Sequence, residues 1–147
     1  MGLLTNPDEY FMNEALKLAQ KAFDEDEVPI GAVIVIDNQI IAKAHNLVER
    51  LHDPTAHAEM QAITQACNYF SAKYLPDCTI YITLEPCTMC ATAIFWAQIA
   101  KLIFGAYDDK LGFTKHKNIL YPKTIYEGGV MESECSALIK NFFKGKR

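Results

Sequence analysis

The stretch TIYITLEPCTMCATAIFWAQIAKLIFG, residues 79 to 105, decides the fold. Thr79 to Leu84 is rich in β-branched and aromatic side chains and reads as a strand. Pro86 then opens a helix that runs through about Ala97, since proline is tolerated in a first helical turn. Lys101 to Phe104 forms the next strand, which Gly105 ends. A strand, a helix and a second strand in this order imply two parallel strands with the helix packed on their sheet.

Upstream the alternation continues. Asp53-Pro54-Thr55 reads as a helix start, and the helix reaches about Phe70 with Ala58, Ala62 and Ala66 at helical spacing. Ala32 to Ile36 is a short apolar run suited to a buried strand. Asp37-Asn38 supplies a turn, and Gln39 to Ala44 returns as an antiparallel hairpin strand. Nearer the start, Asn6 caps a helix with Pro7 in its first turn and Glu9 three residues past the cap. Phe11, Ala15, Leu18 and Ala22 fall on one face of that helix, and Asp24 to Glu27 with Pro29 end it. Downstream, residues 108 to 123 read as irregular, Thr124 to Tyr126 as a short strand and Glu132 to Phe143 as a terminal helix. The sum is an α/β protein with a mixed sheet of about five strands. Sites in such sheets lie at the carboxyl ends of strands, where helices begin.

The 147 residues, half of them hydrophobic, suit one domain spanning 1–147. No apolar run approaches the roughly 20 residues that span a bilayer. Asp8, Glu9 and Glu14 stand where a signal peptide would be basic and then apolar, so the expected location is cytoplasmic. The net charge is −4, yet the charge is unevenly spread: from Lys110 onward eight basic residues face three acidic ones, whereas residues 1 to 109 carry six basic and 15 acidic. Such a basic end either presents an anion-binding surface or is simply solvated. Five cysteines cannot all pair within the chain. In a reducing compartment close cysteines point to metal or redox chemistry.

Two motifs carry that chemistry. His57-Ala58-Glu59 lies at the start of one helix and Pro86-Cys87-Thr88-Met89-Cys90 at the start of the next. Cys87 and Cys90 are three apart and share a helical face, and a helix N-terminus favours thiolate over thiol. Two thiolates and one imidazole suit Zn2+, and three protein ligands leave a catalytic position open. Water held there loses a proton near neutral pH, which makes hydroxide available. Glu59, two residues from His57, is placed to move protons without taking a ligand position. A redox pair would need neither His57 nor Glu59 nearby, and a four-cysteine structural site fails because Cys67, Cys78 and Cys135 are scattered. Those three cysteines read as small buried residues, as Phe95 and Trp96 read as core, and His45, His52 and His116 as structural or surface residues.

His-x-Glu with a later Pro-Cys-x-x-Cys is the pattern of zinc nucleobase deaminases. The segments from Glu27 to Val33, His52 to Glu59, Thr83 to Cys90 and Gly128 to Leu138, with Phe142-Phe143 and the basic residues after them, resemble the bacterial tRNA-specific adenosine deaminases. The resemblance implies a three-layer α/β/α cytidine-deaminase-like fold, a homodimer, and conversion of the wobble adenosine of a tRNA anticodon loop to inosine. It further implies that His57, Cys87 and Cys90 hold zinc and that Glu59 shuttles protons. Asn46 would help hold the nucleoside, the Ala58 N–H would meet the zinc-side oxygen, and Asp108 would lie near the RNA. Loop recognition combines aromatic stacking with cations, which the C-terminal part offers in Phe142, Phe143, Lys140, Lys144, Lys146 and Arg147. The chain departs from that family at Tyr107, where Arg is usual, and in the loop from Lys110 to Lys117. Ala93 to Ala97 is also similar to guanine deaminases, so a free-base or nucleoside deaminase of guanine or cytosine is the second reading. The third is a non-catalytic nucleic-acid-binding protein with the same fold.

Overall fold

A computed structural model describes residues 6–146. Arg147, part of the expected basic end, lies outside the described residues. The elements run α1 (Pro7–Asp24), β1 (Gly31–Ile36), β2 (Gln39–His45), α2 (Val48–Leu51), α3 (Ala58–Phe70), β3 (Thr79–Leu84), α4 (Thr88–Ala97), β4 (Lys101–Ala106), β5 (Ile125–Glu127) and α5 (Glu132–Lys144). The strand order is β2-β1-β3-β4-β5. β1 is antiparallel to both of its neighbours, whereas β3–β4 and β4–β5 are parallel. All strands except β1 therefore point one way, and their carboxyl ends meet at one edge of the molecule.

Alternation along the strands builds two cores. Ala32 and Ile34 of β1, Ile80 and Ile82 of β3, and Leu102 and Phe104 of β4 face α3 and α4, which contribute Ala58, Ala62, Ala66, Ala91 and Ile94. The intervening Val33, Val35, Tyr81 and Ile103 face Phe11, Met12 and Ala15 of α1 and Cys135 of α5. The result is the expected three-layer α/β/α fold. Alanines four apart on α3 bring that helix close to the sheet.

Local signals explain most element ends. Asn6 Oδ1 accepts from the Glu9 N–H, and Asn6 Nδ2 donates to the Glu9 carboxylate, so the reading of the α1 start holds. Asp37 and Asn38 both have positive φ, as a two-residue hairpin turn requires. Two helix starts shift inward from the sequence reading. Asp53-Pro54-Thr55 is not the start of α3: the Asp53 carboxylate accepts from the N–H and hydroxyl of Thr55, which closes a local turn instead. The helix begins at Ala58, with His57 extended at its N-cap, and α4 likewise begins at Thr88 with Cys87 at its N-cap. The one-turn helix α2 was not foreseen. Gly105 does not end β4, which continues to Ala106. Trp96 is not core: it is 69% exposed.

Candidate functional site

The carboxyl ends of the parallel strands and the N-termini of α3 and α4 enclose a cavity of about 630 Å³. Leu84 and Ala106 end β3 and β4 there, Asn46 follows β2, and His57, Glu59 and Cys87 enter from the helix starts. One face of α5 closes the opposite side with Ser136, Ile139, Lys140 and Phe143, residues at helical spacing.

The sequence-predicted ligands converge. His57 Nδ1 lies 3.8 Å from Cys87 Sγ and 3.4 Å from Cys90 Sγ, and the three ligating atoms lie within 4.8 Å of one another. Zinc–sulfur bonds of about 2.3 Å and zinc–nitrogen bonds of about 2.0 Å in a tetrahedron require separations of this size. The thiols also show what is needed between them. Hydrogen bonding from Cys90, and then from His57, holds the Cys87 thiol down to about 4. The Cys87 thiolate and burial push Cys90 up, and the Cys87 sulfur raises His57. One thiolate forms readily, and a cation held among the three groups would favour the second.

Glu59 is buried at the second position of α3, and burial raises its carboxyl above the ordinary range. Its Oε1 and the Oδ1 of buried Asn46 have no hydrogen-bond partner among the described residues. Both residues line the cavity. Buried oxygens without protein partners mark the place of a ligand. Ala58 opens α3, so its N–H is one of the four that no helix carbonyl can satisfy.

The outer residues divide. Phe143 is 48% exposed and lines the cavity, whereas Phe142 is 7% exposed and packs edge-on against Phe23 of α1. Adjacent helical residues point about 100° apart, so the two cannot share a role. Phe142 is therefore a core residue and not a substrate contact. Lys140 lines the cavity, whereas Lys146 pairs with Asp26 and covers the Phe142 ring. Asp108 lines the cavity too, but its Oδ1 is occupied by the N–H groups of Lys110 and Leu111. His45 pairs with Glu25 at 2.9 Å, and neither His52 nor His116 joins the metal cluster. All five cysteines are free.

Two buried carboxylates were not foreseen. Glu27 accepts from the N–H groups of Glu49 and Arg50 and so caps α2, which supplies Val48 and Glu49 to the cavity. Glu85 accepts from the loop after β4. For Glu85 the available signal was a charged residue directly after a mostly buried, β-branched strand.

Residues 5–106 match the family model for the cytidine and deoxycytidylate deaminase zinc-binding region. The tRNA-specific adenosine deaminase of Aquifex aeolicus is 48% identical over 144 residues, which cover 95% of each chain. That of Bacillus subtilis is 43% identical, with 95% of this chain and 91% of its own covered. The chain belongs to this deaminase family. Among solved structures, one from a study of A-to-I editing by tRNA deaminases at the wobble position superposes with a TM-score of 0.82 and 41% identity, covering 88% of this chain and 98% of its own. A guanine deaminase from Bacillus subtilis superposes with a TM-score of 0.65 and 42% identity over 67% of this chain and 64% of its own. The deaminase is thus a zinc-dependent hydrolase, and its donor set fits the metal. No helix among its described residues is long and apolar enough to cross a membrane.

Proposed function

We propose that the deaminase converts the wobble adenosine of a tRNA anticodon loop to inosine, with His57, Cys87 and Cys90 as zinc ligands and Glu59 as the proton shuttle. The observation that carries this reading is one cavity in which the metal-ligating triad meets two partnerless buried oxygens, Glu59 Oε1 and Asn46 Oδ1. Zinc at the triad supplies Lewis-acid activation of water at neutral pH.

The chain's own residues do the rest. An unpaired adenine enters the cavity, because a base inside a duplex hides the carbon under attack. Asn46 Oδ1 accepts from the nucleoside and orients it. Glu59 takes a proton from the attacking water and delivers protons to the base. The carbon gains the oxygen, its bond to the amino nitrogen breaks, and the nitrogen leaves as ammonia. The Ala58 N–H donates to the incoming oxygen. Asp108 shapes the wall through its backbone turn. Phe143 stacks on a neighbouring base and Lys140 meets phosphate.

The chain acts as one domain over residues 1–147, in the cytoplasm, as a homodimer. Supporting a second copy, Trp96, Tyr69 and Tyr74 are left 69%, 62% and 44% exposed at the far ends of α3 and α4. Sedimentation of wild type against Trp96→Lys checks the dimer.

Ammonia release from an anticodon stem-loop, set against free adenine, guanine and cytosine, tests the substrate. Turnover of the stem-loop alone is expected. Turnover of free guanine alone would make the chain a guanine deaminase, which the structural likeness to one makes the second reading. No ammonia from any substrate would leave a nucleic-acid-binding protein.

A further inference from the structure

The loop that forms one wall of the cavity is wrapped around a single carboxylate. Glu85 stands between the end of β3 and the Pro86-Cys87 turn that presents a metal ligand, and it is buried. Its Oε1 accepts from the Asp108 N–H at 3.0 Å. Its Oε2 accepts from the Thr114 N–H at 2.8 Å and from the Thr114 hydroxyl at 2.7 Å. Both ends of the loop are therefore tied to one group. A β-carbon on Gly112 would collide with that carboxyl, so the loop passes directly over it. No lysine or arginine among the described residues is ion-paired with Glu85. The loop's own N–H groups take the place of a cation.

Further ties bind the same two segments. The Glu85 N–H donates to the Ala106 carbonyl at 2.8 Å, the Phe113 N–H donates to the Pro86 carbonyl at 3.0 Å, and Cys87 pairs with Gly112 as an isolated bridge. Phe113 is buried beneath, edge-on to Phe104 and Tyr126. Above this frame Tyr107, Asp108, Asp109, Lys110 and Leu111 line the cavity. Tyr107 and Leu111 are largely exposed, so the loop's cavity face is not held by apolar burial of its own.

We infer that Glu85 is a positioning residue that sets the register between the substrate-facing wall, residues 107 to 114, and the metal-ligand turn. This rests on the reading of the cavity as the nucleoside site. Glu85 lies at the cavity wall, but both of its carboxylate oxygens are taken up by the loop's own donors. It acts by holding the wall at a fixed place relative to Cys87. A glutamine there keeps size and shape but turns one acceptor into a donor, so one end of the loop meets a donor facing a donor. A released wall weakens binding while the metal and Glu59 stay in place.

The experiment compares wild type, Glu85→Gln and Thr114→Val in the zinc-loaded protein. It uses the substrate that wild type turns over, whether stem-loop or free base, so a wrong substrate class shows in the wild-type control and leaves this test intact. The readouts are zinc content, KM and kcat, and amide hydrogen exchange at Asp108 and Thr114. Glu85→Gln is expected to raise KM about tenfold with kcat within about threefold of wild type. Zinc is retained, and exchange quickens across residues 108 to 114. Thr114→Val removes only the hydroxyl contact and is expected to raise KM about threefold, which keeps the proposal testable should Glu85→Gln fail to fold. An unchanged KM with a freed loop would overturn it. So would zinc and kcat falling together at constant KM, since Glu85 would then act through the metal ligand.

Discussion

Gly31 lies against the backbone of Ala15 with no room for a β-carbon between them. A carbon there would collide with the Ala15 carbonyl and fall 2.7 Å from the Ala19 nitrogen and 2.9 Å from Leu18 Cβ. Helix α1 thus rests directly on the first residue of β1. Gly31→Ala must push the helix off the sheet, and overpacking of this kind costs about 1–3 kcal/mol. Urea denaturation should show a lower midpoint at unchanged slope, with zinc content preserved. A midpoint equal to wild type would mean that α1 yields freely.

Metal removal should change thiol reactivity selectively. Cys87, held down to about 4, is a thiolate at neutral pH, whereas burial pushes Cys78 up to about 11 and Cys135 up to about 12. Alkylation requires thiolate, so the last two should label only in strongly alkaline solution or after unfolding. Mass spectrometry after chelation should find the first adduct on Cys87 and none when zinc is bound. Cys87→Ala or Cys90→Ala should lose zinc and activity together. Equal labelling of all five cysteines in the folded, zinc-free protein would contradict this assignment.

Glu59 separates chemistry from binding. Glu59→Gln removes proton transfer and no ligand, so zinc content and RNA affinity should remain while kcat falls about 10²- to 10⁴-fold. Near-normal turnover would require another proton shuttle.

Lys140 and Phe143 test the RNA reading on α5. Lys140→Ala should raise KM for an anticodon stem-loop and lower the salt slope of binding by about one. Phe143→Ala should weaken binding by about 1–3 kcal/mol, the worth of one stacked base. A free-base substrate should show neither effect. Trimming the residues after Phe143 is a poorer probe, since Lys146 braces α5 against Asp26 and the Phe142 ring.

The hairpin, both parallel strands and the cysteine pair were legible because each depends on neighbours in the chain, and His57, 30 residues from Cys87, was legible because its own local pattern with Glu59 marks it. Asp37-Asn38 sits between apolar runs, and Cys87 and Cys90 are three apart on a helix start. Features that depend on distant partners were not legible. Helix α2 is held by Glu27, some 22 residues upstream of the N–H groups it caps. Asp53 has the composition of a helix cap but spends its carboxylate on Thr55. The sequence shows two adjacent phenylalanines at 142 and 143 without showing which meets α1. Residues 108 to 123 lack periodicity because a remote carboxylate, Glu85, organises their first part.

His57 and Cys87 stand where a helix normally has a serine, threonine, asparagine or aspartate, and neither makes a side-chain capping hydrogen bond. Each substitution forgoes about 1 kcal/mol of local closure. Helices α3 and α4 therefore begin as loose ends whose side chains are committed elsewhere, and a single ion would fasten both at once. A chelator should therefore act here as a local denaturant as well as an inhibitor: demetallation is expected to let the first turns of two helices fray together, and with them the floor of the cavity.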